Sequence, residues 1–439
     1  MAALTESSLR QLGNVRGGNL KNSDKARVYG ELSDGTLKAS DSVGFDFVTA
    51  NCELMFPDGR KPIIGSPERR PGQESRRHSS VLRSENKYPF ARVYEVDPLG
   101  DCRWQSLVER HPQASIFHHV GWLQALHRTY GYEPVVFTAS PPNADLEIGL
   151  LFCRIRSWVT GNRIVSLPFS DHCAPLAEPD GRFESLLCHL HTARAGERWK
   201  YLELRPLSGN FAEIVKKLGF EPAAKYVLHR VDLEPGVEQI FKRLNKDSVQ
   251  RRVRHAERVG VVEVCGSSEG LLRDFYRLLV RTRARHNLPP QPYAWFRNLL
   301  DGMGSAADLR IAYMEKLPVA AVLILHFKDK SYYKYGCSDE RFHHSGSIPF
   351  LLWRAILNAK SMGSKTFDLG RTGVDQHGLL KFKNHWAPES ELVTYWKFPP
   401  GPSFDSLRGW KLNVVKRVCA YAPDRLLRIA GTLLYPHIG

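Results

Sequence analysis

The chain has 439 residues, enough for two or three domains with substantial cores, and its 42% hydrophobic and 25% charged residues are those of an ordinary globular protein. No apolar run reaches the roughly 18 residues a membrane-spanning helix needs, and the opening MAALTESSLRQLGNV lacks the apolar core of a secretory signal, so a cytoplasmic protein is expected. The formal net charge of +16 asks for an anionic partner: nucleic acid, an anionic membrane face or a phosphorylated substrate.

Residues 1–87 are rich in Gly, Ser and Arg, and 65–83 reads as disordered. Ordered structure is expected from about Tyr88, where PFARVYEV reads as a strand. A first domain then runs over 88–232. Its strands are EPVVF near Val135, LEIGLLFCRIRSW from Leu146 and RIVSLPF from Arg163; a helix follows at 182–194 and a strand, KYLELR, at 200–205. The same order recurs in 233–401. There LRIAYM, VAAVLILHF and SYYKYG are strands, 348–362 is the helix and KTFDLG the closing strand. The closing strands align with Glu203 opposite Asp368. Such an internal duplication bounds the fold before any motif is weighed, and places a substrate cleft between two similar halves.

Between the repeats, 237–259 has apolar residues at helical spacing and seven Lys or Arg against Asp247 and Glu257 on its other face. With a second helix at 271–286 it forms a basic helical insert, 237–287. The end, 402–439, reads as a basic amphipathic helix. It suits either an anionic membrane surface, through 406–435, or packing on the protein itself. The eight cysteines form no C-x-x-C pair, so neither a zinc ribbon nor a disulfide framework is indicated, and small buried side chains are expected. His343-His344 and His118-His119 lack the spacing of a zinc enzyme, so no metal is expected.

Strand meander, helix, strand is the order of the GNAT-type acyltransferases. The series YYKYGCSDE (332–340), IPFLLWRAI (348–356), FDLGRTG (367–373) and GLLKFKNHW (378–386) resembles the FemAB family of tandem-GNAT aminoacyl and acyl transferases. IVSLPFSDHCAPL (164–176) and the basic tail resemble its BioF2-like branch, linked to exopolysaccharide and envelope systems. The resemblance covers 88 onward and implies an α/β (α+β) fold of two tandem GNAT-like domains with mixed sheets. It implies acyl or aminoacyl transfer to an amine of a peptidoglycan or exopolysaccharide precursor, on a small-molecule, nucleotide-sugar or lipid-linked acceptor. The donor would be acyl-CoA or aminoacyl-tRNA, with no cofactor held permanently. TRNA is then a partner and DNA is not; the location is cytoplasmic, extending to the inner face of the membrane.

Residue by residue, the family's Phe-Lys pair falls on Phe382 and Lys383. A fixed ammonium there would stabilise the anionic tetrahedral species of acyl transfer or steady the donor's phosphates as a point charge; a surface lysine beside a core phenylalanine is the plainer reading of the same pair. Asp368, at the end of a buried strand, would orient Lys383 or Arg371, take the proton of the attacking amine, or make a structural hydrogen bond to the loop backbone. Tyr333 and Tyr335, read as sharing one strand face, would line the acceptor groove or pack in the core, with Thr282 and Arg285 in the acceptor region. Arg341, Gly346 and Ser347 occupy the place of the loop that holds donor phosphates, although His344 replaces its first glycine. Ser170-Asp171-His172 cannot converge as a catalytic triad from one loop, which leaves Asp171 and His172 as acceptor contacts. Two other readings stand beside this one: a CoA-dependent N-acetyltransferase of an amino sugar, and a non-catalytic basic scaffold in exopolysaccharide assembly.

Overall fold

The computed structural model describes residues 92–400 and 422–439. The readings made for 1–87, and for 402–421 of the C-terminal segment, lie outside the described residues. The first half runs β1 (Tyr94–Val96), α1 (Cys102–Arg110), α2 (Val120–Tyr130), β2 (Glu133–Thr138), β3 (Leu150–Ile155), β4 (Arg163–Val165), α3 (Gly181–Gly196), β5 (Leu202–Leu204), α4 (Ala212–Lys217) and β6 (Glu221–Asp232). Next come α5 (Val237–Arg243), α6 (Arg251–Arg258), β7 (Val262–Gly266), α7 (Glu269–Arg285) and α8 (Tyr293–Met303). The second half continues with β8 (Ala307–Met314), β9 (Leu317–Phe327), β10 (Lys330–Ser338), α9 (Ser347–Ser361), β11 (Thr366–Gly373), α10 (His377–Asn384) and β12 (Ser390–Phe398), and α11 (Asp424–Leu434) closes the chain.

The twelve strands of the described residues join one mixed sheet, ordered β1-β2-β3-β4-β5-β12-β6-β11-β10-β9-β8-β7. From either edge, a meander leads to a parallel pair, β4 with β5 or β10 with β11. Parallel strands need a crossover, and α3 and α9 supply it. The last strands of the two halves are exchanged. β6 pairs with β11, β12 pairs with β5, and the two meet at the centre. The duplication extends to the register: Asp368 lies opposite Arg230 across one exchanged strand, and Glu203 opposite Lys397 across the other.

One apolar core joins the halves. Trp104 and Trp122, from α1 and α2, share it with Phe275 and Trp295, from α7 and α8. The helices α2 and α8 cross so closely that a Cβ on Gly121 would strike the carbonyl of Gly302. A second cluster lies under α5, α6 and α9, and a third under α3 and α4.

Two expectations need correcting. The basic segment is two helices, because the Asn245 side chain accepts from the N–H groups of Asp247 and Ser248 and starts a new turn there. Of the cysteines, Cys153, Cys173 and Cys337 are buried, but Cys102 and Cys265 are exposed.

Candidate functional site

β10 and β11 pair over Lys330–Thr366, Ser331–Phe367 and Tyr332–Asp368, and then part. Each strand is irregular just past that point. β10 carries an extra residue, Lys334, between Tyr333 and Tyr335, and β11 is irregular between Asp368 and Arg371, with Gly370 at φ 74°. Such bulges redirect side chains and end pairing. Opposite the gap lies the loop after β4, where Leu167 and Phe169 adopt positive φ and Ser170, Asp171 and His172 are buried.

Five of the side chains picked from the sequence meet here. Asp368 is buried. Its carboxylate accepts from the Gly370 N–H at 2.7 Å and faces the Arg230 guanidinium at 3.4 Å. Burial raises its pKa above the usual carboxylate value; Arg230 opposes that rise and the neighbouring Asp171 adds to it. Lys383 has no exposure, and its ammonium donates to the carbonyls of Gly370 (2.8 Å) and Arg371 (3.0 Å), fixing the irregular stretch of β11. Arg371 lies against the Tyr226 ring (4.1 Å) and the Tyr395 ring (5.2 Å), with its Nε 3.9 Å from Asp171. Burial disfavours its charge, but Tyr226, Tyr395 and Asp171 together raise its pKa. His172 packs edge-on against Phe117, and burial drives its pKa well below the ordinary histidine value, with Arg230 next in effect. Ser170 donates its hydroxyl to the Leu167 carbonyl.

The reading from sequence missed Lys334, Arg230, Tyr226 and Tyr395. Lys334 is fully buried. Its ammonium donates to the Phe169 carbonyl at 2.7 Å, meets Asp171 at 3.4 Å and lies over the rings of Phe117 and Trp122. The Tyr395 hydroxyl donates to the backbone carbonyl of Asp171. The cluster thus holds four cations, Lys334, Arg371, Arg230 and Lys383, against the buried carboxylates Asp171 and Asp368, with the exposed Glu391 pairing Arg230 from outside at 2.8 Å. An excess of positive charge in a partly dry setting favours an anion, whether bound or developing in a transition state. Asp171 Oδ1, Arg371 Nε and His172 Nδ1 are buried without hydrogen-bond partners.

The other candidates lie elsewhere. Tyr333 and Tyr335 do not share a face: the extra residue sends Tyr333 into the core under α9 and Tyr335 into the core that joins the halves. There Tyr335 donates to Gln291 and accepts from Trp295. Phe382 packs with Leu379 and Trp386. Thr282 is buried and clips α7 to Ser338 through both of that residue's backbone groups. Arg285 and Arg341 line a cavity of about 420 Å³ at the end of β10, with Arg281, Asp339, Glu340 and Asp424. Arg341 and Arg281 are both paired with Asp339 there, so an incoming phosphate would have to compete with that carboxylate.

Ser347 is buried, and Gly346 (φ 76°) is set so tightly on α6 that a Cβ would collide with the Arg252 carbonyl. Gly346→Ala should therefore cost roughly 2–4 kcal/mol, from left-handed strain and overpacking. Urea unfolding checks this, and unchanged stability with loss of donor binding would instead point to a phosphate role. Among the described residues, no three His, Cys, Asp or Glu side chains gather as metal ligands would.

Residues 243–383 match the model of an acetyltransferase (GNAT) domain. The second half carries a GNAT-type N-acyltransferase domain. That match spans α6 to α10 and includes Asp368, Lys334, Arg371 and Lys383. No curated protein matches the sequence. Among solved structures, FemX is similar in fold, with a TM-score of 0.57 at 14% identity over 70% of this chain and 97% of that one. The C-terminal domain of a putative lysylphosphatidylglycerol synthetase from Agrobacterium fabrum has a TM-score of 0.49, at 14% identity over 72% of this chain and 96% of that one. A tandem GNAT protein from the clavulanic acid biosynthesis pathway has a TM-score of 0.45, at 12% identity over 71% and 99%. Among the described residues, no helix is long and apolar enough to cross a membrane.

Proposed function

We propose that the chain transfers an acyl or aminoacyl group from acyl-CoA or an aminoacyl-tRNA to an amine of a cell-envelope precursor, with the chemistry where β10 and β11 part. The observation that carries this reading is the buried Asp368, set at the parting of β10 and β11 in a cluster with more cations than carboxylates, inside the matched acyltransferase domain. The acceptor amine attacks the donor carbonyl, and Asp368 takes its proton. The resulting oxyanion is stabilised by the cationic surroundings. Collapse expels the thiolate of CoA, or the ribose oxygen of tRNA, and leaves an amide. Asp171 and Arg371 would recognise the acceptor. Lys383 acts through the backbone it fixes, so it is a positioning residue. The donor's phosphates would occupy the cavity beside Arg281, Arg285 and Arg341. The exopolysaccharide branch of the FemAB family is the narrower form of this proposal, on the motifs that resemble it.

A thermal-shift series tests it, with acetyl-CoA, longer acyl-CoAs, aminoacyl-tRNA and UDP-linked amino sugars as probes. A ligand at a hundredfold excess over its Kd stabilises the folded chain by about 2.7 kcal/mol. One donor and one acceptor should each raise the melting temperature. Acetyl-CoA alone doing so, together with an amino sugar, would favour the simpler N-acetyltransferase. No shift with any donor would end the proposal.

A further inference from the structure

Two exposed apolar features meet through the residues that follow α11. The loop between β3 and β4 carries Trp158 and Val159, 88% and 54% exposed. Hydrogen bonds anchor that loop: Ser157 Oγ lies 3.0 Å from His437 Nδ1, and Thr160 donates to the His437 carbonyl. The Trp158 ring itself meets His437 edge-on. A side chain this large, kept in water on an anchored loop, is unusual for a surface with no partner.

Four residues before His437 ends the second feature, a stripe on α11. Leu427 and Gly431 face inward, and Gly431 sits on the Pro290 carbonyl so closely that a Cβ would collide. Leu426, Ile429 and Leu433, at i, i+3 and i+7, point outward, each more than half exposed. Arg425 and Arg428 are exposed on the same helix, and exposed Lys200 reaches the foot of the Trp158 loop through the Thr160 carbonyl. Arg156 adds a fourth cation, already paired with Glu133, while Asp424 is the acid of the helix.

We propose that this face, Trp158 and Val159 together with the Leu426–Ile429–Leu433 stripe, docks on an anionic lipid surface. Charge complementarity selects the occupant, since the rim holds cations in excess of acids. The shape agrees with it. The apolar side chains stand out from a loop tip and a single helix face, the form of an interfacial anchor that buries apolar atoms among headgroups while arginines meet lipid phosphates. A tryptophan at such a tip suits the boundary between headgroups and acyl chains.

The full chain should pellet with vesicles of equal parts phosphatidylcholine and phosphatidylglycerol, and poorly with phosphatidylcholine alone. The triple change Leu426→Ser, Ile429→Ser, Leu433→Ser should weaken partitioning at least about tenfold, and Trp158→Ser about as much, given the apolar area each withdraws from the lipid. Both variants should keep the wild-type melting temperature, because the side chains are exposed. Arg251→Glu with Arg254→Glu, on α6, should leave vesicle binding nearly unchanged. Binding that survives the serine changes and vanishes with the α6 changes or with salt would overturn the proposal in favour of net charge alone. A serine variant that lowers the melting temperature, or turns a dimer into a monomer in light scattering, would overturn it too, showing the face covered by protein. The assay uses no acyl donor, so it stands or falls apart from the proposed reaction.

Discussion

Replacing Asp368 with asparagine is expected to lower kcat by about a hundred- to a thousandfold, the contribution of one positioned proton acceptor. The fold should survive. Asparagine keeps an oxygen for the Gly370 N–H and fills the same space, while Arg230 retains Glu391 at 2.8 Å as a second partner. Stability and activity should respond to pH in opposite senses. Because the folded pKa of Asp368 is raised, its protonated form is favoured in the native state. Stability linked to this group is therefore fully present below the ordinary carboxylate pKa and is lost as pH rises through the folded value. Catalysis needs the ionised form, so kcat/KM should climb along an acidic limb shifted upward from the ordinary aspartate value. The asparagine variant should lose that limb and show a flatter dependence of stability on pH. Steady-state kinetics across pH, with urea unfolding at matched pH, reads both. Full activity in Asp368→Asn would remove the proton acceptor from the mechanism and strengthen the scaffold reading.

Much of the frame could be read from local pattern. Both meanders, both crossover helices and the strands ending near Glu203 and Asp368 follow from alternating apolar runs and their spacing, which depend on near neighbours. The exchange of β6 and β12 could not be read that way. Each strand is paired across the boundary between halves, and neither EPAAKYVLHRVD nor SELVTYWKF states which half it will join. Arg230 was invisible for the same reason, since it belongs to an exchanged strand. Asp171, His172 and Asp368 were legible as polar residues at the ends of apolar strands and Arg371 as a partner for Asp368, whereas Lys383, on α10, was legible only through the family's Phe-Lys pair. Lys334 was not. A strand of period two places Tyr333 and Tyr335 on one face and Lys334 on the other, and one extra residue overturns that count. A lysine set among three tyrosines in the run SYYKYGC was the available signal, because an ammonium buried in such a strand needs partners from somewhere.

Lys334→Met should destabilise the protein by about 3–5 kcal/mol, the range for breaking a buried ion pair from one side. Methionine replaces the aliphatic stem among Phe117, Trp122 and Tyr335, so the loss is electrostatic and not a cavity. It strands the Asp171 carboxylate, whose nearest remaining cation, Arg371, is 3.9 Å away, and it releases the Phe169 carbonyl in a loop already held at positive φ. Asp171→Asn should cost less, since the ammonium keeps the Phe169 carbonyl and its aromatic neighbours. The two changes should not add. With both charges gone, the double variant should recover about 1–3 kcal/mol relative to the sum, the coupling expected of groups in direct contact. Chemical unfolding of the four proteins measures the coupling, and additive losses would show that the pair does not join the two halves. The same double variant tests the site. If the lysine and the carboxylate serve only to lock the loop after β4 onto β10, its kcat should approach the wild type as stability returns. If they help shape the cationic surroundings of the reacting carbonyl, activity should stay low in a protein that folds well.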